Sequence, residues 1–182
     1  VFDILGKNVA LNDPTGRCRT FQMGVSDSDG SAEIYVSGAA VPGNSTIMSR
    51  SWVGGETVAV TIPIRSIDSI VNELRPDPIT VDLVKIDVEL AEQKVLQGMS
   101  NTIRSHRPII YLEISPESDF EAINAAIGAG SYLVYANRDH DFIKLKTVAQ
   151  DIPGVHRNQF CVPKEREAYF LNTLARLHCP VT

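Results

Sequence analysis

The stretch from Val81 to Met99, "VDLVKIDVELAEQKVLQGM", constrains the fold more than any other part of the sequence. Its first half is a nearly continuous apolar run made of Val81, Leu83, Val84, Ile86 and Val88. Such runs are typical of strands that are covered on both faces in a parallel sheet. Its second half changes to the spacing of an amphipathic helix. The stretch therefore predicts a buried strand that leads into a helix, with acidic residues near the junction.

Predicted strands and helices alternate along the rest of the chain. The predicted helices are VFDILGKNVALN, SIDSIVNEL with Ser66 as its N-cap, ESDFEAINAAI and KEREAYFLNTLARL. The predicted strands are CRTFQMGV, AEIYV, TVAVTIPI, RPIIYLEIS, SYLVYA, DFIKL and NQFCVP. Residues 37–56 are rich in Gly, Ser and Pro, and a loop of this length is often functional. This order predicts one α/β domain over residues 1–182 with a mostly parallel sheet.

The composition argues against some classes of partner. Among 182 residues, 17 Lys and Arg stand against 22 Asp and Glu, and a net charge of -5 does not suit a nucleic-acid backbone. No stretch approaches the ~20 apolar residues of a membrane span, so we expect no membrane partner. Cys18, Cys161 and Cys179 are too few and too widely spaced for a disulfide framework or a metal knuckle. We therefore expect a reducing, cytoplasmic setting and no metal site.

Two carboxylates interrupt apolar strands near their ends. In α/β sheets, ligands bind beyond the carboxyl ends of the strands, and Asp87 and Glu113 are predicted to lie at such ends. We favour a functional role for both, although Asp87 could instead be a helix N-cap. Glu89 and Glu92 follow in the first helical turn, where the helix dipole favours negative charge by ~0.3–1 kcal/mol. Glu89 could serve either purpose, and Glu92 is expected to be solvated. Lys85 is expected to pair with a carboxylate or to extend its ammonium group to the rim of the sheet, rather than to act in catalysis.

The same stretch resembles the signature of a known family. "VDLVKIDVELAEQKVLQGM" is similar to the pattern "DLIKIDVEGAE..VL.G" of the FkbM-type S-adenosylmethionine-dependent methyltransferases. The order of the other segments is similar too, and these are "GVSDSDGSAEIYVS", "GNSTI", "VTIPIRSIDSIV", "RPIIYLEIS" and "NQFCVPKE". The resemblance covers nearly the whole chain. It implies methyl transfer from S-adenosylmethionine to oxygen, with a hydroxyl of a sugar or polyketide-like small molecule as the acceptor.

The resemblance also implies a fold. This is the Rossmann-like class I methyltransferase fold, of which the first strand, the first helix and the second strand are lacking in this sequence. Residues 1–182 would then form a single, amino-terminally incomplete methyltransferase domain. Because the Gly-rich loop and the ribose-binding carboxylate belong to those elements, we expect this chain alone to bind S-adenosylmethionine weakly or not at all. An open sheet edge would also favour a homo-oligomer, in which another copy pairs with that edge.

The resemblance implies roles for particular residues. The expected catalytic residues are Asp87, Glu89 and Glu113. The expected cofactor-binding residues are Gly24, Val25 and Asp87. In this arrangement Asp87 lies beside both the methionine part of the cofactor and the acceptor, while the turn at Gly24 contacts adenine. Asn44 and Ser45 in the long loop are expected to bind the acceptor hydroxyl.

One position of the motif departs from the family pattern. Leu90 stands where the family has glycine, a residue that lets the backbone approach a neighbour closely. The alternative to an enzyme is a non-catalytic binding or scaffold module derived from this fold. A nucleotide-dependent α/β enzyme of another kind is a weaker alternative, because one fold hosts many chemistries.

Overall fold

The structure, a computed structural model, describes residues 2–37, 45–46, 57–74, 79–128, 130–138, 141–149 and 157–181. Its helices are α1 (Phe2–Asn12), α2 (Ile67–Glu73), α3 (Glu92–Gln97), α4 (Ser100–His106), α5 (Phe120–Ile127) and α6 (Glu167–Arg176). Its strands are β1 (Gly24–Val25), β2 (Gly30–Ser37), β3 (Ser45–Thr46), β4 (Thr57–Arg65), β5 (Leu83–Ile86), β6 (Ile109–Glu113), β7 (Tyr132–Arg138), β8 (Asp141–Leu145) and β9 (Asn158–Pro163). The predicted α/β class is confirmed.

The larger sheet has five strands in the order β5-β6-β9-β7-β8. β5 and β6 are parallel, whereas the pairs β6–β9, β9–β7 and β7–β8 are antiparallel. The prediction of a mostly parallel sheet is therefore wrong for the described residues. Two residues of sequence separate β7 from β8, and a connection that short joins antiparallel strands, since parallel ones need a long crossover. β9 then enters between β6 and β7 in the antiparallel sense.

The smaller sheet has the order β1-β4-β2-β3. β2 and β4 are antiparallel along their whole length, from the pair Gly30 and Ile64 to the pair Ser37 and Thr57. β1 is parallel to the end of β4 and is much shorter than the strand predicted for CRTFQMGV.

Each face of the larger sheet carries its own hydrophobic core, because successive side chains of a strand point to opposite faces. One face packs against α3, α4 and α5, and its buried residues include Ile86, Val95, Leu96, Met99, Ile103, Ile110, Leu112, Ile123 and Cys161. The other face packs against α6, and its buried residues are Ile109, Tyr135, Phe142, Val162, Phe170 and Leu174. Helices thus cover both faces of the larger sheet, and the carboxyl ends of β5 and β6 are bordered by the turns that follow these strands.

Gly98, between α3 and α4, fixes the smaller sheet to the larger one. A Cβ added to Gly98 would lie 2.0 Å from the carbonyl oxygen of Ser26, which directly follows β1, so only glycine permits this approach. The Gly98 carbonyl oxygen also accepts the backbone N–H of Asp68 in α2 at 2.9 Å. Both β1 and α2 are thereby held against the end of α3.

Side-chain caps explain where two of the helices begin. The predicted N-cap Ser66 is confirmed, since its side chain accepts the backbone N–H of Ser69 at 3.1 Å. Asp68 caps α4 rather than its own helix, because its two carboxylate oxygens accept the backbone N–H groups of Asn101 and Thr102 at 2.9 and 2.8 Å. Caps of this kind stabilise a helix by about 1 kcal/mol, and here the cap also joins α2 to α4.

β5 stands at the end of the strand order in the part of the chain that the structure describes. Leu83 is 60% exposed, whereas Ile86 is buried. The prediction of a strand covered on both faces is therefore wrong at the start of β5. Pairing of this edge with another copy stays a prediction. None of the described helices is long and apolar enough to cross a membrane.

Candidate functional site

The parallel register of β5 and β6 brings two carboxylates together. Ile86 pairs with Leu112, so the next residues, Asp87 and Glu113, lie side by side where the strands end. Lys85 Nζ lies 3.3 Å from Asp87 Oδ2 and 3.7 Å from Glu113 Oε2. The expectation that Lys85 pairs with a carboxylate is confirmed. We call Lys85, Asp87 and Glu113 the carboxyl-end cluster.

The carboxyl-end cluster is acidic and open to solvent. The side chains of Asp87 and Glu113 are 51% and 33% exposed, and a single ammonium group contacts both carboxylates. The ammonium is also held over the ring of Tyr111, with Lys85 Nζ 5.0 Å from the ring centroid. Two carboxylates for one ammonium leave an excess of negative charge, which attracts a cationic group on a ligand.

The turn after β5 has an unusual backbone conformation. Glu89 has a φ of 45° and Leu90 a φ of 74°, both in the left-handed region. Residues other than glycine reach that region at a cost of roughly 1–2 kcal/mol each. Such strain persists only where the surrounding contacts determine the conformation. Leu90 therefore adopts a conformation that glycine would reach without strain.

Glu92 does not lie where its sequence position predicts. It is 2% exposed, so the expectation that it is solvated is wrong. Its Oε1 accepts the backbone N–H of Leu90 at 2.9 Å, and its Oε2 accepts the hydroxyl of Ser118 at 3.2 Å. A signal was present in the sequence, because Glu92 precedes the core residues Val95 and Leu96 by one helical turn and shares their stripe.

Burial raises the pKa of the Glu92 carboxyl group above its usual value, because the charged form loses its hydration. The hydrogen bonds from Leu90 and Ser118 oppose this rise, and the nearby charge of Glu89 adds to it. Glu92 therefore holds its proton more firmly than a solvated glutamate would.

Gly24 and Val25, the residues expected to contact adenine, form β1 and pair with Ile64 and Arg65 of β4. A Cβ added to Gly24 would lie 3.0 Å from Ile62 Cδ1 and 3.2 Å from Ile64 Cγ2. Packing against β4 therefore accounts for the glycine. Val25 packs against the core that α3 and α5 cover, and the adenine contact of both residues stays a prediction.

Comparison with known proteins identifies the family of this chain. The family described as Methyltransferase FkbM domain matches residues 1–146. The chain belongs to the FkbM methyltransferase family. It is 30% identical over 122 residues to Methyltransferase sdnD of Sordaria araneosa, and the match covers 54% of this chain and 47% of that protein. The chain thus spans about half the length of this curated relative. No solved structure matches it significantly.

The FkbM-family signature of the chain has an exposed part and a buried part. Lys85 and Asp87 belong to the exposed carboxyl-end cluster. Glu92 is buried and binds the turn after β5, while Gly98 lies in van der Waals contact with the backbone that follows β1. One short motif therefore supplies both a charged strand end and the framework that holds it.

The residues expected to bind the acceptor in this FkbM-family chain fall largely outside the described residues. Asn44 lies outside them, as do most of residues 37–56. Ser45 is described by its backbone pairing, which joins it to Val36 near the end of β2. The parts that Asn44 and Ser45 take in binding stay predictions.

Four charged residues lie at the opposite end of the larger sheet. They are Asp82, Arg107, Glu165 and Arg166, which we call the amino-end cluster. Arg107 Nε and Nη2 donate to the two carboxylate oxygens of Glu165 at 2.8 and 3.1 Å. Arg166 Nη2 lies 3.0 Å from Asp82 Oδ1, and Arg107 Cζ lies 4.6 Å from the ring centroid of Tyr132. The hydrogen bonds from Arg107 lower the pKa of Glu165 from 4.5 to about 2.

His106 joins the segment before β5 to the segment before β6. His106 lies at the amino end of β6, and its Nδ1 accepts the backbone N–H of Val81 at 3.1 Å. Cys18, Cys161 and Cys179 are free thiols. Within the described ranges, no group of three or more His, Cys, Asp or Glu side chains is arranged to hold a metal ion.

Proposed function

We propose that the protein is an S-adenosylmethionine-dependent O-methyltransferase, or the carboxyl-terminal part of one, with a Rossmann-like class I fold. The acceptor is a hydroxyl of a sugar or polyketide-like small molecule. Membership of the FkbM family supports methyl transfer. The observation that carries the proposal is the meeting of Asp87 and Glu113 at Lys85, where the parallel strands β5 and β6 end.

The carboxyl-end cluster fits the cationic part of S-adenosylmethionine. Its sulfonium carries a positive charge, and two solvent-accessible carboxylates that share one ammonium leave negative charge to meet it. Asp87 would lie beside the methionine part and the acceptor, with Glu89 and Glu113 on the acceptor side. In the described part of the chain β1 is the edge strand of the smaller sheet, next to β4. The backbone groups of β1 on the side away from β4 support a contact with adenine.

The residues of the chain act on the acceptor in this proposal, and S-adenosylmethionine supplies an activated methyl group when bound. Asp87 orients the acceptor hydroxyl and accepts its proton, a role that typically contributes ~10²–10⁴-fold in rate. Lys85 contacts both carboxylates and holds them beside each other. Alignment of the hydroxyl with the methyl group supplies most of the remaining acceleration.

Transfer of a labelled methyl group from S-adenosylmethionine tests the proposal. The assay uses the protein as its gene encodes it, with a panel of sugars and polyketide-like alcohols. We expect calorimetric binding of the cofactor at about micromolar Kd and label in at least one hydroxyl acceptor. Binding without transfer to any hydroxyl would contradict the acceptor class. Absence of binding would contradict the enzyme and favour the scaffold alternative.

A further inference from the structure

We propose that Glu92 is a positioning residue, which ties the turn after β5 to the turn after β6 and so sets Asp87 against Glu113. The inference rests on the proposed methyl transfer for its effect on turnover. Its structural part can be judged separately, because it concerns the relative placement of two turns and their carboxylates.

A chain of buried hydrogen bonds connects the two turns. Leu90 N–H donates to Glu92 Oε1 at 2.9 Å, and the Ser118 hydroxyl donates to Glu92 Oε2 at 3.2 Å. Ser118 Oγ in turn accepts the backbone N–H of Ser115 at 2.9 Å. Glu92, Ser115 and Ser118 are all buried. We call this chain of contacts the Glu92–Ser118 bridge.

The bridge ends close to both carboxylates of the carboxyl-end cluster. On one side it holds Leu90, three residues after Asp87, in a turn with left-handed backbone conformations. On the other side it holds Ser115, two residues after Glu113. A strained turn keeps its shape only where its surroundings determine it. Loss of the bridge therefore frees Asp87 to move relative to Glu113.

Packing alone does not account for a carboxylate at this position. Val95 and Leu96 on the same stripe of α3 are buried in the core, and an apolar side chain at position 92 would extend that core without the cost of burying a carboxyl group. What an apolar side chain cannot do is accept two hydrogen bonds from two different turns. The bridge is therefore the function of the carboxyl group.

The bridge tolerates protonation, and this provides a conservative variant. A proton on Oε2 can be donated to Ser118 Oγ, which still accepts the backbone N–H of Ser115. Glutamine has the same geometry, with its oxygen facing Leu90 N–H and its NH₂ group facing Ser118 Oγ. Glu92→Gln should therefore keep the bridge, whereas Glu92→Met keeps the volume and loses both acceptors.

The first test compares turnover in the protein as its gene encodes it, well below the melting temperature. Glu92→Met should lower kcat by about tenfold or more with a nearly unchanged KM for S-adenosylmethionine, because small misplacements of reacting groups are costly. Glu92→Gln should recover at least half of that loss on a logarithmic scale. Ile123→Val in α5 is the matched control, since Ile123 is fully buried in the same core and makes no polar contact. It should lower the melting temperature and keep the wild-type kcat.

The second test does not depend on activity. In Glu92→Met the amides of Leu90 and Ser115 should exchange with solvent about tenfold faster, and in its crystal structure Asp87 and Glu113 should no longer both contact Lys85. Glu92→Gln should show neither change. If Glu92→Met does not fold, Ser118→Ala removes the second half of the bridge, and in its crystal structure Asp87 and Glu113 should no longer both contact Lys85.

The outcomes separate the two claims. Wild-type protein that transfers no methyl group contradicts the proposed function, and exchange and crystallography then decide on the bridge alone. The inference is overturned if Glu92→Met leaves both carboxylates on Lys85. It is also overturned if Glu92→Met turns over as fast as Ile123→Val.

Discussion

The two ends of the larger sheet hold their charges in different ways. In the amino-end cluster each of the two carboxylates pairs with its own guanidinium. Two nitrogens of Arg107 donate to the two carboxylate oxygens of Glu165 at 2.8 and 3.1 Å. In the carboxyl-end cluster Asp87 and Glu113 share one ammonium at the longer distances of 3.3 and 3.7 Å. Planar two-point pairing satisfies Glu165, and Arg166 contacts one carboxylate oxygen of Asp82. The second cluster keeps more acceptor capacity for another group.

The backbone conformation also differs between the two ends of the sheet. The turn between β5 and α3 contains two non-glycine residues with positive φ, Glu89 and Leu90. At the amino end, Arg107 has a φ of 50° as the C-cap of α4, a position where left-handed residues are common. Strain that does not terminate a helix is typical of functional sites. The comparison indicates that the amino end contributes to stability and the carboxyl end to chemistry.

The largest expected effect is that of Asp87→Asn on turnover. Asparagine keeps the size of the side chain and removes its capacity as a base, so kcat should fall by at least about tenfold, and general-base effects reach ~10²–10⁴-fold. Glu165→Gln removes one charge at the amino end and is the matched control, with turnover at the wild-type level. Methyl transfer by both variants is measured beside thermal melting. A folded Asp87→Asn variant with wild-type turnover would show that this carboxylate is structural.

Arg107→Met should affect stability alone. The substitution removes the paired hydrogen bonds to Glu165 and the contact with the Tyr132 ring. Exposed ion pairs contribute ~0.2–1 kcal/mol and a partly exposed cation–π contact ~0.5–1 kcal/mol, so the free energy of unfolding should fall by about 1–2 kcal/mol. Urea denaturation measures the change. If Arg107→Met also lowered turnover, the amino-end cluster would not contribute to stability alone.

Local periodicity in the sequence predicted most elements of the fold. β4 and the Ser66 cap of α2 follow from alternation and from one residue type, and both are confirmed. The direction of pairing was not predicted correctly, because it depends on which strands meet. The exposure of Leu83 was missed for a related reason, since an apolar run does not reveal whether a neighbouring strand covers it.

The candidate site was predictable only in part. Asp87 and Glu113 were expected at adjacent strand ends because both interrupt apolar strands, and the register brings them together. The burial of Glu92 depends on Ser118, which lies 26 residues further along the chain. A contact that distant leaves no local periodicity at either residue. The position of Glu92 on the core-facing stripe of α3 was the available signal.

The strained turn can be tested with two substitutions at one position. Leu90→Gly and Leu90→Ala both remove the side chain, but only glycine relieves the left-handed conformation, which costs ~1–2 kcal/mol. Glycine also loses ~0.5–1 kcal/mol through the entropy of its unfolded chain, so Leu90→Gly should be the more stable variant by up to about 1.5 kcal/mol. Ala125→Gly in the exposed face of α5 is the matched control and should destabilise by about 1 kcal/mol. If glycine is the less stable residue at both positions, the turn is not strained.

The smallest expected effects concern the pH dependence of the free energy of unfolding, and they have opposite signs at the two ends of the sheet. The pKa of Glu165 is lowered from 4.5 to about 2 in the folded protein, so its pair stabilises the fold above pH 4.5 and the contribution is lost as the pH falls toward 2. The pKa of Glu92 is raised by burial, so the folded state binds its proton more tightly than the unfolded state does. The Glu92 contribution therefore weakens as the pH rises above 4.5.

Unfolding measured between about pH 2 and 7 separates these two contributions. Relative to wild type, Glu165→Gln should lose its stability difference on acidification, and that difference should be at most about 1 kcal/mol because the Glu165 side chain is more than half exposed. The difference between wild type and Glu92→Gln should change in the opposite direction, because glutamine remains neutral while wild-type Glu92 is ionised as the pH rises. A difference between wild type and Glu92→Gln that does not change with pH would mean that Glu92 is solvated in solution. The bridge between the two turns would then be lost, and with it the contrast between a self-paired amino end and a carboxyl end held in place by a buried carboxyl group.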